Sequence, residues 1–307
     1  MKRSFFISLF LLFASAFCMS AQSQVEQNHD YEGFESVDVS EHFIVRLIGS
    51  DKYAVRIKAD ERLAEHVQSY VKDDVLYVTL DKKSFSSELK KELKGKALLT
   101  AALEAEIYAP TINSIVLNGK TSLVQSDTIR IEDFSLVMND NARVEKLNLR
   151  CMTADIAMGK NSYANIGAHI SETLTLTTSN SAEAILNQTG GKALVIDAAG
   201  SSQVRATVNV PELEIAVASN ADLICIGRTD ELNLKAGGSS VVEAETLDVN
   251  KASVKQSGSS KCYMNVADKI TVELTGGSMM TFTGKPELDI VRVVNSTLIK
   301  ADDPKRK

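Results

Sequence analysis

Four polar side chains recur at one position of a repeated sequence unit and could bind or cleave a carbohydrate. They are Tyr163, Glu183, Gln203 and Asp222, spaced 20, 20 and 19 residues apart. If each unit is one turn of a coil of strands, neighbouring members of the row lie about 5 Å apart. One aromatic ring, two carboxylates and an amide at this spacing can contact successive units of a glycan. The row is therefore the candidate ligand-binding site.

The same row contains a pair of carboxylates that could act in hydrolysis. Glu183 and Asp222 are two turns apart, which is about 10 Å, and glycosidases use two carboxyl groups about 5 to 10 Å apart. Acids are also common on solvated strand faces. The sequence has no metalloprotease motif, no cysteine pair at metal spacing and no nucleophile elbow. We therefore assign no catalytic residue, no metal ligand and no cofactor.

The row is positioned by a unit of 18 to 20 residues that occurs ten times between 114 and 300. The position six residues before a small anchor residue is always aliphatic, and the position two after it is always apolar. In the first unit these positions are Val116 and Val124. The anchors are Ser122, Ala142, Ser162, Ala182, Ser202, Ala221, Ser240, Ser260, Ser278 and Ser296.

The repeat predicts an all-β solenoid. Apolar residues alternate within each unit, as in Leu174 and Leu176, which is the period of a strand. Gly, Asn and Ser precede the anchors and favour a corner there. A period near 20 is typical of stacked coils. We expect a parallel β-helix of about ten coils, right-handed by default, in which Ile196 stacks between Leu176 and Ile215.

The beginning of the chain is typical of an exported protein. Lys2 and Arg3 precede an apolar run from Phe5 to Phe17, and Met19-Ser20-Ala21 fits a cleavage site. A lipoprotein attached through Cys18 is the alternative. The apolar run is too short to span a bilayer, so we expect no transmembrane span in the mature chain. The net charge of −6 argues against a nucleic-acid surface. Cys151, Cys225 and Cys262 are an odd number and are predicted to be buried and unpaired.

The chain divides into a signal peptide (1–21), a β-rich N-terminal region (22–110), the β-helix (111–300) and a charged tail (301–307). The N-terminal region begins with a polar leader over 22–30. A short helix is predicted over 60–70 with Asp60 as its N-cap. The charged segment 82–96 predicts an exposed helical insertion that Gly95 closes. Strands are predicted over 34–39, 43–48, 53–58, 75–80 and 103–108.

The order of these short signals resembles a known bacterial family. Phe43-Ile44-Val45-Arg46-Leu47, Val75-Leu76-Tyr77-Val78 and Ile107-Tyr108-Ala109-Pro110, leading into Ile115-Val116-Leu117-Asn118-Gly119, are similar to the "putative auto-transporter adhesin, head GIN" family. The resemblance covers almost the whole mature chain and implies a β-helical secreted or envelope protein. It supplies no catalytic residues. Glu41-His42 and the segment 82–96 depart from the family's pattern.

Three functions follow from the sequence. The first is a non-enzymatic, adhesin-like protein that binds an extracellular glycan or an envelope or matrix protein along an extended β-helix face. The second is a glycan-active hydrolase or lyase. The third is a structural or regulatory envelope protein whose N-terminal region does the binding. Export places all three in the periplasm, on the outer-membrane surface or outside the cell.

Overall fold

The computed structural model describes residues 23–302, and the predicted signal peptide and most of the charged tail lie outside this range. The chain is mostly strand and forms a β-solenoid of about nine turns after a small β-rich N-terminal region. The all-β solenoid prediction is confirmed. One apolar core runs through the molecule from Phe34 to Phe282.

The N-terminal region begins the stack of coils. Its elements are β1 Gln24–Tyr31, β2 Ser36–Val39, β3 Ile44–Gly49, β4 Tyr53–Asp60, α1 Glu61–Ala64, β5 Val67–Lys72, β6 Val75–Leu80, α2 Ser87–Glu92, α3 Lys96–Thr100 and β7 Leu103–Ala109. β1 pairs antiparallel with β4, and β5 pairs antiparallel with β6. β2 and β3 instead lie parallel to the first two strands of the repeat, β8 (Ser114–Leu117) and β9 (Ser122–Ser126), so the region is continuous with the solenoid.

Three predictions for this region need correction. The polar leader is strand β1, which pairs with β4 along its backbone and whose alternate side chains are half-buried. Asp60 does cap a helix, because its side chain accepts a hydrogen bond from the Arg62 backbone, but that helix ends at Ala64 and Val67 begins β5. The charged insertion is helical, but α2 ends at Glu92, and Gly95 (φ +66°) precedes a further helix, α3, that the sequence did not predict.

The repeat forms parallel strands, and many of them are long enough to cross both broad faces of the coil. After β8 and β9 the strands are β10 Ile129–Arg130, β11 Asp133–Met138, β12 Arg143–Met158, β13 Tyr163–Thr178, β14 Glu183–Thr189, β15 Ala193–Ala198, β16 Gln203–Val217, β17 Asp222–Ala236, β18 Val241–Gln256, β19 Lys261–Thr275, β20 Met279–Thr283, β21 Glu287–Val294 and β22 Thr297–Lys300. In β17 the first half lies on one face and the second half on the other. Gly227 lies between the halves with φ +119°, and a Cβ there would approach the Val208 carbonyl oxygen to 2.0 Å. Only glycine fits this bend.

The predicted stacking register is confirmed except in the first unit. Ile196 pairs with Leu176 on one side and Ile215 on the other, and all three are fully buried. In the first unit the structure aligns Ile115, not Val116, with the apolar column of the next coil. Leu123 is likewise buried in place of Val124. The corner residue is Thr121 rather than Ser122, and a shift of one residue exchanges the two faces of a strand.

Candidate functional site

The four predicted site residues form one continuous column across neighbouring strands. Tyr163 of β13 pairs with Glu183 of β14, Glu183 pairs with Gln203 of β16, and Gln203 pairs with Asp222 of β17. Each follows a small buried corner residue at the start of its strand, and this shared position places all four side chains outward on one face. Parallel strands are about 4.8 Å apart, so Glu183 and Asp222 lie about 10 Å apart with Gln203 between them.

Three of the four residues line a shallow groove of about 320 Å³. Glu183, Gln203 and Asp222 form one side of it, and the next outward column, two residues further along each strand, forms the other. The second column contributes Ile185, Arg205, Ile224 and Glu243, and Val241 continues the first. We call this feature the mid-coil groove and the side of the coil that carries it the groove face.

Tyr163 lies next to the mid-coil groove but does not line it. Its ring is half-buried, and the Arg143 guanidinium lies over the ring with its carbon 4.5 Å from the ring centre. A cation held over an aromatic face is attracted to its electrons and covers that face. The ring is therefore less available for stacking on a sugar than the sequence alone predicted.

The sequence prediction missed Arg205, the one cation among the described residues that line the mid-coil groove. Arg205 lies between Ile185 and Ile224 in the second column, directly beside the row of Glu183 and Asp222. The signal was present three residues after each anchor, where Asn165, Ile185, Arg205, Ile224 and Glu243 follow one another. Because that column mixes apolar and charged residues, it did not stand out as polar.

The charged side chains of the mid-coil groove have no partners within the described part of the chain. In residues 23–302, Glu183, Arg205 and Asp222 make neither a side-chain hydrogen bond nor an ion pair with another described residue, and the same holds for Gln203 and Glu243. Their exposed side chains border half-buried Ile185, Ile224 and Val241. A concave surface with an apolar floor and a few free polar groups is the usual form of a ligand site.

The second halves of the long strands carry a different outward surface, which we call the ion-paired face, and it uses its charges differently. There Lys235 contacts Glu214 at 3.4 Å and Lys251 contacts Glu231 at 3.7 Å, each joining neighbouring strands. Lys255 and Glu273 form a third such pair at 3.3 Å. Opposite charges on adjacent strands stabilise the sheet modestly.

The buried thiols are among the groups with shifted pKa values. Burial raises the pKa of the Cys225 thiol to about 12 and that of Cys151 to about 11. These cysteines and Cys262 are buried and free, as predicted, and a thiol with a raised pKa is a poor nucleophile. Burial also lowers the pKa of His42, and the Lys82 cation lowers it further. Among residues 23–302, no cluster of three or more His, Cys, Asp or Glu side chains could hold a metal ion.

The two sequence departures from the family pattern meet in the structure. Glu41 has φ +82° at the corner before β3, and its carboxylate forms an ion pair with Lys82. Lys82 lies at the start of the charged segment that contains α2. The insertion is thus held against the first coil rather than projecting freely from it.

A family model described as "Putative auto-transporter adhesin, head GIN domain" matches residues 33–183 and 168–286. No curated protein matches the sequence. A crystal structure described as a "putative adhesin" from Parabacteroides distasonis is 14% identical, with 92% of this chain and 98% of that chain covered and a TM-score of 0.50. This similarity supports the fold alone.

Two further solved structures have the same coverage of this chain. A "putative adhesin" from Parabacteroides merdae is 12% identical, with 97% of that chain covered and a TM-score of 0.49. A "putative lipid binding protein" from Parabacteroides distasonis is 12% identical, with 98% of that chain covered and a TM-score of 0.46. Within residues 23–302, no helix is both long and apolar enough to cross a membrane.

Proposed function

Because the chain belongs to the family described as "Putative auto-transporter adhesin, head GIN domain", we propose that it is an exported, non-enzymatic binding protein that holds a glycan segment in the mid-coil groove. The observation that carries this proposal is the set of free polar groups around an apolar floor. Glu183, Gln203 and Asp222 offer oxygen and amide groups at strand spacing, and Arg205 offers a planar donor beside them. Sugar hydroxyls need donors and acceptors of this kind.

The charge of the mid-coil groove defines the class of glycan. Three carboxylates, Glu183, Asp222 and Glu243, surround one guanidinium among the described lining residues, so the groove carries a net negative charge. A polyanionic chain, such as a sulfated or uronic-acid polymer, would meet like charge along this row. The groove therefore favours neutral or amino sugars. Its volume is near the lower limit for small-ligand sites, which corresponds to a short segment of a longer chain.

The test is a binding screen of residues 22–307 against neutral, amino, uronic and sulfated oligosaccharides and against matrix proteins. We expect the protein to bind neutral or amino sugars. The affinity for amino sugars alone should rise at low salt, because only they carry a positive charge that the acidic groove attracts. Binding restricted to polyanions or to matrix proteins would contradict the assignment of the ligand to this groove.

The enzymatic alternative rests on the separation of Glu183 and Asp222. At about 10 Å, it is close to the range of carboxyl separations in inverting hydrolases. The same oligosaccharides are analysed for cleavage after incubation with the protein. We expect the oligosaccharides to remain intact. Cleavage that disappears in Glu183→Gln, a change that keeps the shape and removes the charge, would overturn the binding proposal in favour of a glycosidase.

A large exposed apolar patch in the N-terminal region would favour the structural or regulatory alternative. Among described residues 31–110, the exposed large apolar side chains are Ile44, Tyr70 and Leu99, and they lie on three different elements, β3, β5 and α3. Single exposed apolar residues are ordinary on protein surfaces. The N-terminal region therefore offers weaker support for a binding role than the mid-coil groove does.

A further inference from the structure

The last coil of the solenoid, which consists of β21 and β22, has a free edge and an exposed apolar surface. β21 pairs with β19 along one side, and within residues 23–302 no strand pairs along its other side. Of the ten exposed large apolar side chains in that range, six belong to this last coil: Leu288, Ile290, Val291, Val293, Val294 and Ile299. A free edge with apolar side chains can pair with another strand.

The sequence of β21 is complementary to itself when it is read in the opposite direction. Antiparallel pairing of two copies, with Ile290 opposite Ile290 and the extra residue Val291 outside the ladder, places Asp289 of each copy opposite Arg292 of the other. The same alignment places Leu288 opposite Val293. Two ion pairs and three apolar pairs thus arise from a single two-fold arrangement.

The irregularity in β21 makes this alignment possible. On β19, Val272 pairs with Ile290 but the next residue, Glu273, pairs with Arg292, so Val291 is an extra residue. Without an extra residue, positions 289 and 292 would project from opposite faces of the strand. The bulge at Val291 brings Asp289 and Arg292 to the outward side and leaves Leu288 and Val293 on the inward side.

The charges of β21 are available for such pairing. Among residues 23–302, Arg292 has no ion-pair partner, and Asp289 makes only long contacts: it lies 4.0 Å from Lys269 and accepts a hydrogen bond from the Thr271 hydroxyl at 3.4 Å. Each Arg292 would therefore gain a carboxylate from the second copy without breaking a strong contact within its own chain.

We propose that two copies of this chain dimerise end to end through antiparallel pairing of β21 with β21. The two-fold arrangement closes the interface, because each copy uses the same strand. The N-terminal end does not offer an equivalent surface: its edge strands are β1, a polar sequence, and β5, Val-Gln-Ser-Tyr-Val-Lys, on which Tyr70 is the one exposed large apolar side chain among the described residues. A dimer rather than a filament is expected, and it carries two mid-coil grooves on one particle.

The test uses three variants of residues 22–307 in sedimentation velocity across a wide concentration range. Asp289→Arg makes both cross-pairs positive, and Arg292→Asp makes both negative, so each variant alone should dimerise at least about tenfold more weakly than the unchanged chain. The double variant, Asp289→Arg with Arg292→Asp, restores opposite charges and should dimerise as well as the unchanged chain.

Mixing the two single variants provides the sharpest outcome. The Asp289→Arg chain carries two arginines at the paired positions, and the Arg292→Asp chain carries two aspartates there. The mixture should therefore form a heterodimer with two opposite-charge pairs, as in the unchanged dimer, although neither variant dimerises well alone.

Thermal melting of each variant serves as the folding control, because both positions are exposed and surface substitutions usually change stability little. A chain that stays monomeric at every concentration would overturn the dimer. Single variants that dimerise as well as the unchanged chain would overturn the β21 pairing.

Discussion

The two broad faces of the coil both carry charged side chains, but they differ in what those charges contact. On the ion-paired face, Glu214 and Glu231 are held by lysines of neighbouring strands. Around the mid-coil groove, Glu183 and Asp222 have no such partner among the described residues. The fold places both sets of acids at strand spacing, so the difference lies in the neighbouring residues. Charges that are paired within the chain stabilise the sheet, and charges left free are available to a ligand.

The largest expected effect comes from the interior that both faces share. Ile196→Asp places an unpaired carboxylate between Leu176 and Ile215, so we expect the free energy of unfolding to fall by several kcal/mol, about 3 or more. Val195→Asp is the matched control, because the neighbouring side chain projects outward and is only half-buried. Denaturant unfolding measures both variants. Equal stability of the two would mean that the stacking register is wrong.

A smaller effect is expected from reversing one charge on the ion-paired face. Glu214→Lys removes the contact with Lys235 and places two cations next to each other on neighbouring strands, which should cost about 0.5 to 1 kcal/mol, because the residues directly opposite Glu214 are uncharged. Exchanging both residues, as Glu214→Lys with Lys235→Glu, should recover this loss when measured by the same denaturant unfolding. If the exchange recovers nothing, the pair does not contribute to the stability of this face.

The smallest effects on stability come from removing polar side chains, and they should differ between the two faces. Replacing Glu183, Gln203 and Asp222 by Ala should change the free energy of unfolding by no more than about 0.5 kcal/mol, because their side chains have no partners to lose among the described residues. Replacing Glu214, Glu231 and Asn233 by Ala removes the same types of group but breaks two ion pairs, so it should cost about 0.5 to 1 kcal/mol. Thermal melting at low salt compares the two triple variants. A larger loss of stability in the groove variant than in the variant of the ion-paired face would contradict the difference proposed between the two faces.

The periodic part of the fold could be predicted from the sequence because each coil repeats the same constraint. An aliphatic residue six before each anchor stacks on its neighbour from Leu136 to Ile290. The prediction of the register was wrong in the first unit because Ile115, Val116 and Leu117 are consecutive apolar residues, which fit either of two registers. In the N-terminal region, strand β1 was not predicted, because its polar sequence gives no sign of the strand β4 that pairs with it.

The candidate site was predictable only in part. The column of Glu183, Gln203 and Asp222 follows from the period, because equal positions in successive coils become neighbours. The role of Arg205 and the covering of Tyr163 by Arg143 depend on side-chain conformations that the period does not specify. The same holds for the ion pairs, since a lysine on one strand can reach more than one acid on the next.

The most direct measurement is the affinity of the two triple variants for a neutral or amino oligosaccharide selected in the screen, determined by isothermal titration calorimetry. The groove variant, with Glu183, Gln203 and Asp222 replaced by Ala, should bind at least about tenfold more weakly than the unchanged chain, which corresponds to about 1.4 kcal/mol. The variant of the ion-paired face, with Glu214, Glu231 and Asn233 replaced by Ala, should bind as the unchanged chain does. Unchanged affinity in the groove variant, or an equal loss in both variants, would contradict the assignment of ligand binding to the mid-coil groove.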